Sequence, residues 1–250
     1  MLRNIVQKLA GSFGYKISKQ VPDTKEFDAD FLPLYQRCQP FTMTSIERMY
    51  ALYKSIQYIA QNKIQGDFVE CGVWRGGSSM MIALSLLKFG LTDRKIYLYD
   101  TYEGMSEPTE ADKDFRGETA NTLLKASVKD KENSVWCLAG IDDVRQNMRF
   151  TQYPTELVHF IKGKVEDTLP QQSPTAPLAL LRLDTDWYES TRHELIHLYP
   201  LLQGQGVLIL DDYGYWQGAK KAVDEYFEAH PPLPLLNRID GTGRLAIKPI

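Results

Sequence analysis

Leu178 to Trp216 reads LALLRLDTDWYESTRHELIHLYPLLQGQGVLILDDYGYW and holds two apolar runs, Leu178 to Leu183 and Val207 to Leu210. Each run ends abruptly in acid, the first at Asp184 and Asp186 and the second at Asp211 and Asp212. Both runs read as strands with carboxylates at their carboxyl ends. In an open parallel sheet that edge is where ligands bind, so four aspartates there can converge on one divalent cation. An aspartate after a strand is also a common turn former or helix cap, which suits any one of the four and poorly suits all of them together.

The pattern repeats outward from this stretch. A helix over Ser190 to Leu202 joins the two strands, and another over Gln217 to Ala229 follows the second. Beyond it, LLNRIDGTGRLAIKPI splits two short apolar runs with Asp240-Gly241-Thr242-Gly243, a hairpin signal that predicts an antiparallel end to the sheet. Upstream, GDFVECGVWRGGSSMMIALSLLKFG reads as a strand (Asp67 to Cys71), a glycine-rich turn (Gly72 to Gly77) and a helix (Ser78 to Phe89). Such a turn lets backbone lie against a ligand and offers it the first amides of the helix. The spacing is not G-x-G-x-x-G, so a dinucleotide fingerprint is a poor match. A second strand, Lys95 to Tyr99, ends in Asp100, where α/β folds hold a ribose diol. A third spans Leu157 to Lys162, with Glu166 and Asp167 beyond it.

Alternating strands and helices of this kind predict a mostly parallel, helix-covered α/β sheet. Between the second and third strands, the polar segment Glu103 to Ala120 reads as a long loop, either a lid or a solvated acidic surface, and two helices flank WCLAG. Near the start, IERMYALYKSIQYIAQNK has helical spacing, with Thr44 and Glu47 placed as a capping box. Pro22, Pro33 and Pro40 break helical patterns over Val21 to Pro40, which predicts an irregular arm.

Composition bounds what the sheet can serve. Lysine and arginine number 29 against 32 acids in 250 residues, a net charge of −3, which excludes a general nucleic-acid surface. Cys38, Cys71 and Cys137 are odd in number and form no C-x-x-C pair, which argues against a disulfide framework or structural zinc and for a reducing, cytoplasmic setting. No apolar run is long enough for an integral membrane segment. The basic, amphipathic residues 1–19 read as a short helix packed on the domain or a neighbouring subunit, in preference to a membrane-surface contact. His193-Glu194-Leu195-Ile196-His197 matches H-E-x-x-H, yet its helix lies between two strands, carries core-type leucines and lacks a third ligand, so a zinc site is not expected.

Taken in order, Val69-Glu70-Cys71-Gly72-Val73-Trp74-Arg75-Gly76-Gly77-Ser78, Asp100-Thr101-Tyr102-Glu103-Gly104, Gly163 to Pro170, Leu181 to Thr191 and Asp211-Asp212-Tyr213-Gly214 resemble one family. It is the macrocin O-methyltransferase family of metal-dependent, class I S-adenosylmethionine methyltransferases, whose members methylate sugar hydroxyls. The resemblance implies a Rossmann-like domain over residues 41–250 with a seven-stranded, mostly parallel sheet and an antiparallel C-terminal hairpin, preceded by an N-terminal arm or cap over residues 1–40. It implies that Glu70, Gly72, Val73, Trp74, Gly76 and Ser78 hold the methionine part of the cofactor. Asp100 and Thr101 would hold the ribose, and Val165 and Glu166 the adenine. Asp184 would border the cofactor and, with Asp211 and Asp212, bind Mg²⁺; Asp186 would be the general base. The expected acceptor is a small molecule with a hydroxyl, glycosidic in character. Methylation of a catechol-like phenol, an NAD-binding oxidoreductase and a non-catalytic adenosine-ligand protein are the alternatives, and a homo-oligomer, dimer or tetramer, is left open.

Overall fold

The structure is a computed structural model and describes residues 26–127 and 136–250. The expectations for residues 1–19, and the first part of the arm, lie outside the described residues. Helices α1 (Phe31–Cys38) and α2 (Ile46–Gln61) precede β1 (Asp67–Cys71). There follow α3 (Gly77–Lys88), β2 (Ile96–Asp100), α4 (Ala120–Ala126), α5 (Ile141–Arg149), β3 (Val158–Lys162), α6 (Val165–Thr168) and β4 (Leu178–Leu183). The chain then forms α7 (Tyr188–Leu198), β5 (Leu202–Leu210), α8 (Gln217–Ala229), β6 (Asn237–Arg238) and β7 (Arg244–Ile247).

The strands form one seven-stranded sheet in the order β3-β2-β1-β4-β5-β7-β6. Strands β1 to β5 pair in parallel, while β7 runs antiparallel to both β5 and β6. The expected mixed sheet with its C-terminal hairpin is therefore present. Successive side chains of a strand point to opposite faces, and the core divides accordingly. Phe68, Leu180 and Ile209 pack with α1, α2 and α3, whereas Val69, Leu181 and Leu208 pack with α7 and α8. Among the described residues no helix is long and apolar enough to cross a membrane.

Strand order reverses between β1 and its two neighbours, and the chain stays in register past that edge. Gly72 N–H donates to Tyr99 O (2.9 Å), Asp184 N–H to Cys71 O (2.9 Å) and Asp211 N–H to Leu183 O (3.0 Å). Each functional segment is thus fixed by main chain to the end of the strand beside it.

Several expectations are corrected. The arm contains a helix, α1, because Pro33 stands in its first turn, where N–H groups have no intrahelical partner to lose. Phe31 of α1 is fully buried against Tyr35, Tyr50 and Tyr53. The cap of α2 is Ser45, whose hydroxyl accepts from Arg48 N–H at 3.2 Å, and not Thr44. Thr44 is drawn elsewhere, its Oγ1 accepting from Arg182 Nη2 at 3.2 Å. Strand β5 begins at Leu202, not Val207, since Gln203 to Gly206 are held by backbone partners: Gln205 N–H donates to Lys248 O and Lys248 N–H to Gly206 O. The acidic loop is solvated only in part: Glu103, Glu107, Glu110 and Glu118 are exposed, whereas Asp112 and Asp114 are buried and Asp114 bridges to Trp216.

Candidate active site

A cavity of about 400 Å³ opens at the carboxyl edge, in the size range of small-molecule sites. Its walls include the turn residues Gly72, Val73, Trp74 and Ser78 and the acids Asp184, Asp186, Asp211 and Asp212. Asp100, Thr101, Val165 and Glu166 also line it. Of the residues expected to touch the cofactor, Glu70 and Gly76 do not face the cavity. Glu70 is turned into the core, 1% exposed, where it accepts from Arg182 and from the Ser79 hydroxyl. Gly76 acts through its backbone, closing the turn with φ +86° and a bond from its N–H to Val73 O.

The turn itself is built around Gly72. At φ +82° it has a conformation that side chains rarely adopt, and a Cβ there would lie 1.9 Å from Asp184 O. Gly72→Ala is accordingly expected to lose about 2–5 kcal/mol of stability through backbone strain and overlap. Urea denaturation and titration with S-adenosylhomocysteine check it, since the displaced Asp184 segment should weaken cofactor binding as well.

Asp100 buckles the turn onto β2. Its Oδ2 accepts from Val73 N–H (2.7 Å) and Trp74 N–H (3.1 Å), and its Oδ1 from Tyr102 N–H (2.6 Å). Burial pushes the Asp100 carboxyl up, and these amides counteract it. Oδ2 is filled by two amides, while Oδ1 takes one amide and only a long 3.5 Å contact from Thr101 Oγ1, whose proton goes to Gly104 O, which leaves a lone pair for a donor such as a ribose hydroxyl.

At the acidic end the four aspartates are not equivalent. Asp211 is 2% exposed and bonds two arginines, Oδ1 to Arg182 Nη2 (2.8 Å) and Oδ2 to Arg48 Nη1. Among the described residues, the carboxylates gathered within 4.8 Å of one another are Asp184, Asp186 and Asp212. Burial raises both Asp184 and Asp212 well above the usual carboxylate range; the Arg182 charge opposes this at Asp184, and Asp186 adds to it at Asp212. Burial likewise lifts Asp186 to about 7, against interactions with Asp212 and Trp216 and with Asp184 and Asp211 adding to the rise. Asp212 Oδ2 is buried and has no hydrogen-bond partner among the described residues. Crowded hard oxygen donors, one of them orphaned, fit a divalent cation such as Mg²⁺.

Two arginines missed in the sequence reading hold this end together. Arg182, 2% exposed, donates from Nη1 to Glu70 Oε1 (2.5 Å) and from Nη2 to Asp211 Oδ1, and its Nη2 forms an ion pair with Asp184 Oδ2 at 2.8 Å. A lone arginine inside LALLRL was its available signal, because a charge in a buried strand must be paired. Arg48 lies 163 residues from its partner Asp211, and no local pattern announces it. Its Nε also meets Asp240 Oδ2 at 3.0 Å, docking the hairpin turn against α2.

The H-E-x-x-H match does not form a metal site. Glu194 is fully buried, while the His193 and His197 rings contact each other at 4.4 Å and His193 Nε2 lies 3.2 Å from Leu169 O. Glu194 thus points into the core and away from the histidine pair.

Comparison with known proteins gives a concordant picture. The family model described as macrocin-O-methyltransferase (TylF) matches residues 17–246. The chain is 35% identical over 185 residues to the demethyldecarbamoylnovobiocin O-methyltransferase of Streptomyces niveus, covering 74% of this chain and 67% of that protein. It is 33% identical over 202 residues to the 8-demethyl-8-(2,3-dimethoxy-alpha-L-rhamnosyl)-tetracenomycin-C 4'-O-methyltransferase of Streptomyces olivaceus, covering 81% and 73%. The solved O-methyltransferase NovP superposes with a TM-score of 0.72 at 32% identity, covering 84% of this chain and 83% of its own.

Proposed function

The chain belongs to the macrocin O-methyltransferase family and is an S-adenosylmethionine-dependent O-methyltransferase; on that premise we propose that it methylates a hydroxyl on the sugar of a glycosylated small molecule, with Mg²⁺ at the aspartate cluster. The observation that carries this reading is the shared cavity, lined by both the glycine turn and the four aspartates. One relative above is named for a rhamnosyl-bearing tetracenomycin, and a further relative, from Micromonospora griseorubida, is named a mycinamicin III 3''-O-methyltransferase.

The methyl donor supplies its own activation through the sulfonium charge. The protein's share is to position and to deprotonate. Gly72, Val73, Trp74 and Ser78 form the wall for the methionine part, Asp100 and Thr101 that for the ribose, and Val165 and Glu166 that for the adenine. Asp184, Asp211 and Asp212 would hold the ion, Asp211 through lone pairs that its two arginines leave free. When bound, the cation supplies positive charge that makes an aliphatic hydroxyl more acidic. Asp186, beside Asp184 and Asp212, accepts the hydroxyl proton. Tyr215 and Trp216, which interact with Asp186, together with Phe41 and Met43, give the cavity apolar wall that suits the faces of a sugar ring. Free Cys38, Cys71 and Cys137 fit a cytoplasmic site of action.

Two measurements test the proposal. Turnover should fall at least ~100-fold in EDTA, as expected when charge stabilisation at the reacting oxygen is removed, and return with Mg²⁺. EDTA-insensitive turnover would sink the metal role. An acceptor screen of deoxysugar glycosides against catechols, read by product mass, should show transfer to the glycosides, and transfer to catechols alone would overturn the acceptor class.

A further inference from the structure

We propose that Asp112 is a positioning residue that holds the proton acceptor Asp186 in place by tying the 105–118 segment to the helices behind both acidic loops. The inference rests on the reading of Asp186 as the base. Asp186 has φ +70°, a left-handed conformation that costs a residue with a side chain about 1–3 kcal/mol and persists only where its surroundings enforce it.

The enforcement comes from the next two residues. Trp187 is 2% exposed, donates from Nε1 to Ser106 O at 3.1 Å, and meets Trp216 edge to face at 4.9 Å. Tyr188, the first residue of α7, donates its N–H to Asp112 Oδ1 at 2.8 Å. The 105–118 segment therefore grips the chain on the carboxyl side of Asp186 at consecutive residues.

Asp112 is built for the task. It is fully buried, and its Oδ2 accepts from Thr109 N–H (2.6 Å) and Thr109 Oγ1 (2.8 Å), so both oxygens are engaged. Its own carbonyl accepts from Ala120 N–H at 2.8 Å, which fixes the far end of the loop. A buried carboxylate is tolerated only when met by donors, and the positive end of α7 supplies further compensation. Gly218, in the first turn of α8, makes room for it: a Cβ there would lie 2.1 Å from Asp112 Oδ1. One carboxylate thus sits between the starts of α7 and α8, the helices that follow Asp184 with Asp186 and Asp211 with Asp212.

The test uses the full chain with S-adenosylmethionine, Mg²⁺ and an accepted glycoside. Asp112→Ala should lower kcat about 100-fold, the order of loss brought by a displacement near 1 Å, with KM for both substrates within threefold. Rates are expressed per site that binds S-adenosylhomocysteine, so a merely unstable variant shows no loss on this scale. Asp112→Asn serves as the milder variant: it keeps an acceptor for Tyr188 N–H but sets an amide against Thr109 N–H, and about a tenfold loss is expected by the same argument. Without substrates, Trp187 emission should shift to the red in Asp112→Ala, and the shift should vanish in a Trp187→Phe background. Since Asp112 acts through Asp186, Asp112→Ala should add no further loss to Asp186→Asn. A kcat within twofold of the parent in both Asp112 variants, or losses that multiply with Asp186→Asn, would overturn the positioning role while leaving the base assignment intact. Full turnover in Asp186→Asn overturns the base assignment, and with it the role given to Asp112.

Discussion

Asp186→Asn is expected to lower turnover by about 10²–10⁴-fold, the contribution typical of a positioned proton acceptor. The amide matches the carboxylate in shape, so the cavity and its neighbours Asp184 and Asp212 keep their places. What it loses is the ability to accept a proton. Burial lifts Asp186 to about 7, so it holds a proton more strongly than an exposed carboxylate does. Single-turnover transfer measures the loss, and calorimetric titration with S-adenosylhomocysteine and with Mg²⁺ separates it from binding. Both affinities should stay within a few-fold of the parent. Transfer reduced less than threefold would remove Asp186 from the chemistry.

Arg182→Met should cost about 3–5 kcal/mol of folding stability, the penalty for leaving buried charges without their partner. Arg182 is enclosed and bonds Glu70, Asp184 and Asp211 together. Methionine fills much of the same volume, so the loss reads out electrostatics and hydrogen bonding more than packing. Denaturant midpoints measure it. Adding Glu70→Leu to the variant should recover part of the loss, because one of the stranded carboxylates is then gone. A destabilisation below 1 kcal/mol would show that the cluster relaxes without its arginine.

The frame of the fold was legible because it is written locally. Apolar runs such as Leu178 to Leu183, acids at their ends and the glycines from Gly72 to Gly77 each declare themselves within a few residues. The structure places the expected Asp184, Asp186, Asp211 and Asp212 in one cavity. Local patterns failed where the deciding contact is distant. Arg48 and Asp211 are 163 residues apart, and Asp112 and Tyr188 are 76 apart, so neither pairing leaves a trace in spacing. For the same reason no local pattern sets Asp211 apart from Asp184 and Asp212, whereas two arginines single it out. Pro33 misled by its residue type, since proline breaks helices in their interior and not in their first turn. Gln203 to Gly206 misled by composition, since pairing to Lys248 overrides weak strand propensity.

The backbone bonds that run from Gly72 to Tyr99, from Asp184 to Cys71 and from Asp211 to Leu183 bind the reacting groups to the most protected part of the sheet. Side chains such as Phe41 and Met43 stand on a separate segment that carries none of those bonds. The molecule is in this sense modular: a fixed chemical engine with an interchangeable receptacle. Repurposing the fold for a different acceptor is therefore a matter of rewriting a few side chains around the mouth, with the methyl-transfer apparatus inherited unchanged.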